Sequence, residues 1–99
     1  MQACYPECFD REMGCTGADW LSWLPGAVGD CPWTLQAESA DVCISDGTLR
    51  LTWQAAPARV IGLISMPVLK VSFRFAGLDQ AQRHTFMKRF DLYMQRGGG

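Results

Sequence analysis

The cysteines are the residues of this 99-residue chain whose chemistry is most readily named. Cys4, Cys8 and Cys15 lie close together, and Cys31 could close a four-ligand set. Soft thiolates suit Zn²⁺ and iron–sulfur clusters, so a metal or redox protein is one function class the residue types allow. The spacing C-x3-C-x6-C lacks the C-x2-C pairs of the strong ligand patterns, and such thiols also pack as small hydrophobes. Five is an odd count, and no positively charged segment leads into an apolar run near the N-terminus. A disulfide framework is therefore disfavoured and a cytoplasmic location is expected. Cys43, within an alternating segment, is expected in the core.

Other reactive groups are sparse. His84 is the sole histidine and has no carboxylate near it in sequence to orient it as a base. The chain has no Gly-rich phosphate loop, paired-carboxylate motif or nucleophile elbow, which points to a non-enzymatic protein. No stretch approaches the roughly 20 apolar residues of a membrane helix.

Charge is divided unevenly. Up to Leu49 the chain carries eight acids against the single base Arg11, whereas from Arg50 onward eight bases face only Asp79 and Asp91. Arg50, Lys70 and Arg74 should project from one face of adjacent strands, with Arg59 at a strand end. That face is a candidate anion or nucleic-acid site, though it lacks the aromatics on which single-stranded bases stack. Alternatively, the acidic half covers it and the split is internal.

A third candidate is a surface. Trp20, Trp23 and Leu24 crowd a short helix, and tryptophan is a common interface anchor. Alternatively, Trp20 and Leu24 close the open end of the core while Trp23 covers the sheet. A protein partner captured by these three residues is the preferred function, in a small accessory or interaction module.

The elements must position these groups. Residues 1–15 show no period and read as an extended or irregular acidic arm bearing cysteines. Thr16 and Asp19 form a capping box, and Pro25-Gly26 should stop the helix that follows after about two turns. Trp33–Glu38 and Asp41–Ile44 are two strands or one bent one. Ser45-Asp46-Gly47 is a hairpin turn. Thr48–Trp53 and Val68–Phe75 alternate cleanly, as half-buried strands do. Arg59–Met66 is almost continuously apolar and reads as a central strand with a bulge at Gly62. Asp79 and Gln82 cap a long helix, Gln80–Arg96, whose Phe86, Met87, Phe90, Tyr93 and Met94 share a face. The result is an α+β domain over residues 16–96: a short helix, a three- to four-stranded antiparallel sheet, and a long C-terminal helix on one sheet face. Gly97–Gly99 forms a flexible tail.

The helix–strands–helix order is similar in topology to double-stranded RNA-binding domains, but no lysine cluster opens the last helix. The Arg96-Gly97-Gly98-Gly99 ending resembles that of ubiquitin-like carriers, except that it follows a helix and not a strand.

Overall fold

A computed structural model describes residues 4–96. The irregular-arm reading of residues 1–3 and the glycine tail at 97–99 lie outside the described residues. The elements run β1 (Cys8–Met13), α1 (Gly17–Val28), β2 (Trp33–Leu35), β3 (Ser39–Ile44), β4 (Gly47–Ile61), β5 (Ile64–Ala76) and α2 (Gln80–Arg96). All strand pairs are antiparallel, in the order β1-β5-β4-β3-β2. The α+β class holds, with five strands where three to four were expected.

Alternation builds the core. Leu49, Leu51 and Trp53 on β4 face the same side as Leu69, Val71, Phe73 and Phe75 on β5, and all are buried. Both helices cover that side. On α1 the buried residues are Trp20, Leu24, Ala27 and Val28, one stripe at helical spacing. On α2 they are Phe86, Met87, Phe90 and Met94. Trp20 packs between Trp53 and Phe90, with ring centroids 5.6 and 5.9 Å away.

Both capping boxes form. The Asp19 N–H donates to Thr16 Oγ1 at 3.1 Å, and the Gln82 N–H donates to Asp79 Oδ1 at 2.8 Å. The Asp79 N–H returns a bond to Gln82 Oε1 at 2.9 Å. However, α1 runs on through Pro25 to Val28. Pro25 removes the N–H that would reach the Leu21 carbonyl, a loss offset by burying Ala27 and Val28 beyond it. The helix then ends at Gly29, whose φ of 65° favours glycine.

Half of the arm's described residues, Cys8–Met13, form an extended strand. β1 joins the edge of β5, with Phe9 opposite Phe73 and Met13 opposite Leu69 on the core side. Arg11 lies between them and also points inward. Its guanidinium spans Asp91 of α2 bidentately, and the Tyr5 hydroxyl donates to the same carboxylate at 2.7 Å. It also sits over the rings of Phe9 and Phe73, 5.4 Å from each centroid. Burial and the Asp91 carboxylate both push the Tyr5 pKa above its ordinary value. Burial opposes the charge on Arg11, but the Asp91 hydrogen bonds and charge outweigh it and the net shift is upward. This network fastens the first strand to the last helix.

The largest departure concerns Arg59–Met66. It is not a central strand but the end of a hairpin. β3 leaves β4 at Thr52, and β1 leaves β5 at Leu69. Beyond those points β4 and β5 continue as a two-stranded arm, with a register shift between Ala56 and Arg59. Gly62, at φ 61°, makes the turn with Leu63, in the φ pattern of a II′ hairpin, so it is a turn residue and not a bulge. Pro67 lies within β5, beyond the residues that β1 pairs, where that side of the strand is an edge. The arm helps give the molecule a long axis of 47 Å against 29 and 22 Å across.

Candidate functional site

The thiols are dispersed. Cys4 lies beside the Gln80 side chain at the start of α2, while Cys8 projects from the outer sheet face opposite Arg74. Cys15 is buried ahead of α1, and Cys31 is half-buried after it. Among the described residues, no group of three or more Cys, His, Asp or Glu side chains is arranged to hold a metal ion. The four-cysteine metal site therefore does not assemble. Burial, and then the nearby Asp19 charge, push the Cys15 thiol up from its ordinary pKa, which suppresses its thiolate. Cys43 is exposed on the outer face, not in the core, because its neighbours Val42 and Ile44 take the inward positions of β3.

The outer sheet face does bring Arg50 and Arg74 together as direct cross-strand neighbours, with Lys70 two rungs along, beyond the Thr52–Ser72 pair. The acidic half shares the same face. Arg50 is paired with Asp41 at 3.0 Å. On β1, Asp10 stands opposite Ser72 and Glu12 opposite Lys70, and Arg59 reaches Glu12 at 3.0 Å. The acids enter as neighbouring strands, not as a cover laid over the bases. Signs are thus interleaved across the face, which weakens the field an anionic partner would feel.

The tryptophan helix follows the core alternative for Trp20 and Leu24, not the interface one. Trp20 and Leu24 are 0% exposed, so both are core residues and cannot anchor a partner in this conformation. Trp23 packs half-buried against the core. Among the described residues, Trp20 Nε1 is the one buried side-chain nitrogen or oxygen without a hydrogen-bond partner.

The arm carries the exposed apolar surface that sequence reasoning assigned to the interior. Val60, Ile61, Ile64 and Met66 are 43–68% exposed, and Leu63 at the turn is fully so. Alternation puts Ile61, Ile64 and Met66 on one face of the ribbon and Val60 on the other, with Leu63 at the turn, so the apolar surface wraps the tip. No charged residue occurs between Val60 and Met66. The flanking Arg59 is neutralised by Glu12 of the same chain. Pro57 on β4 and Pro67 on β5 each lack a backbone N–H, which discourages another strand from adding to either edge. The signal for this arm was in the sequence: Gly62-Leu63 between two apolar stretches is a Gly-X hairpin pattern.

No helix among the described residues is long and apolar enough to cross a membrane. The chain matches no protein-family model, no curated protein and no solved structure.

Proposed function

We propose that this protein is a non-enzymatic interaction module that assembles through the β4–β5 arm, and that the arm's occupant is a second copy of the same chain. The observation that carries this is the arm itself. A two-stranded ribbon is at best marginally stable in water, and this one bears exposed apolar side chains over its whole tip. Its stability calls for a cover.

A second copy suits the arm in three ways. An uncharged tip meets its own image without like-charge repulsion. A two-fold arrangement lets each patch bury the other, as closed symmetric dimers do. The tip offers its copy the face formed by Ile61, Ile64 and Met66 together with Leu63 at the turn, and contact from the stem supplies the rest of the ~800 Å² per partner of a standard interface. A bilayer suits it less well, because the ribbon's unpaired backbone edges would be stranded in hydrocarbon.

The test is sedimentation velocity of the full chain across a wide concentration range. Wild type should shift from monomer to dimer. The double variant Ile61→Lys with Ile64→Glu replaces a cross-strand apolar pair by an oppositely charged one, keeping the hairpin while removing its apolar tip. It should remain monomeric. A wild type that stays monomeric at every concentration, or a double variant that dimerises equally well, overturns the proposal.

A further inference from the structure

A cavity of about 410 Å³ opens between the end of α1, the β3–β4 turn and the first half of α2. That volume lies within the roughly 300–1,000 Å³ of small-molecule sites. Its walls are mainly apolar, with Val28, Ile44 and Phe86 among them, and Cys31 also lines it. The polar feature that sets its chemistry is Arg89. The guanidinium lies against Gly29, so closely that any Cβ there would collide with it. Gly29 thus has two reasons to be glycine: its positive φ and the approach of Arg89. Arg89 has no carboxylate partner among the described residues, in contrast to Arg11, Arg50 and Arg59. Asp79 also lines the cavity but sits ten residues earlier on α2, about 15 Å along the axis, and its carboxylate is engaged in the helix cap.

We infer that this cavity binds an amphipathic monocarboxylate, with its apolar chain against Val28, Ile44 and Phe86 and its head group on Arg89. A guanidinium beside an apolar wall is complementary to an amphipathic anion: a carboxylate takes two parallel N–H donors, and the chain displaces water from the wall. The site is separate from the arm and does not depend on dimer formation.

Cys31 provides the readout. The full-length protein is alkylated with iodoacetamide, with and without decanoate, and each thiol is followed by peptide mass spectrometry. Decanoate should slow labelling of Cys31 and leave Cys8 and Cys43, on the far face of the sheet, unchanged. Decanol, which has the same chain without the charge, should need about tenfold higher concentration for the same protection. Arg89→Gln should remove that difference between acid and alcohol, and Arg89→Lys should restore part of it. Equal protection by acid and alcohol in the wild type overturns the inference. So does no protection, or a preference for the acid that survives in Arg89→Gln. If Arg89→Gln fails to fold, the acid–alcohol comparison in the wild type decides alone.

Discussion

Leu63→Ser separates the arm's role in assembly from any role in the fold. Leu63 is fully exposed at the hairpin turn, so its side chain contributes almost nothing to the stability of the isolated chain. Serine also suits the second position of a Gly-X turn. The melting temperature of the monomeric protein should therefore change little, within about 0.5 kcal/mol of wild-type stability. Assembly should respond strongly. Burying a leucine fully is worth about 1.5–3 kcal/mol, and a two-fold dimer buries two copies, so about 3–6 kcal/mol is lost. At 1.4 kcal/mol per decade, the dissociation constant should rise by roughly a hundredfold to ten-thousandfold. Sedimentation velocity reads the constant, and thermal unfolding below it reads the fold. A variant that dimerises as tightly as wild type refutes the reasoning, because the most exposed apolar residue of the arm would then lie outside the contact. A variant that loses several kcal/mol of monomer stability refutes it differently, by giving Leu63 a structural role.

Three further outcomes follow from the geometry. Tyr5 and Cys15 both have raised pKa values in the fold, so each contributes stability that is complete below its ordinary value, near 10.0 and 9.0, and is lost as pH rises through the shifted one. Denaturant midpoints should accordingly fall between pH 8 and 11, and Tyr5→Phe should flatten the upper part of that decline while costing about 1.5–3 kcal/mol at neutral pH. Ser45 sits at φ 52° in the β3–β4 turn, where a side chain is strained, so Ser45→Gly should raise stability by about 0.5–1 kcal/mol in urea titrations. Chelator should leave the melting temperature unchanged; in the same native protein Cys8 and Cys43 should alkylate readily and Cys15 only on unfolding.

Sequence reading worked where local pattern and tertiary role agree. The alternation of Val68–Phe75 and the Asp79–Gln82 cap of α2 signal structures that neighbours only reinforce. It failed where one pattern has two physical meanings. An unbroken apolar run such as Val60–Met66 reads as a buried strand, yet here it is an exposed tip, and only Gly62-Leu63 separates the two cases. β1 was hidden because Arg11 occupies an inward position between Phe9 and Met13. Its partner Asp91 lies 80 residues away, and no local pattern announces that pair. Pro25 was a plausible helix stop until Ala27 and Val28 are seen to extend the stripe of Trp20 and Leu24. Of the candidate sites, the basic cross-strand pair Arg50–Arg74 was legible from strand parity. Asp10 and Glu12 on the same face were not, because their placement depends on β1. The cavity at Arg89 draws on three separate elements and had no sequence signature.

The pairing of β1 with β5 also governs how this chain can fail. The first strand to be synthesised must wait for the penultimate element before it has anything to bond to. Its docking closes a loop of roughly 60 residues, a slow step compared with closing the β3–β4 or β4–β5 turns. Until then the β5 edge that β1 will cover, from Leu69 to Arg74, stands open to any strand nearby, as far as Pro67, whose missing N–H interrupts it before the arm. Loss or late arrival of the first 13 residues should thus convert a bounded sheet into one able to grow sideways, and precipitation of such a truncated chain would begin at β5.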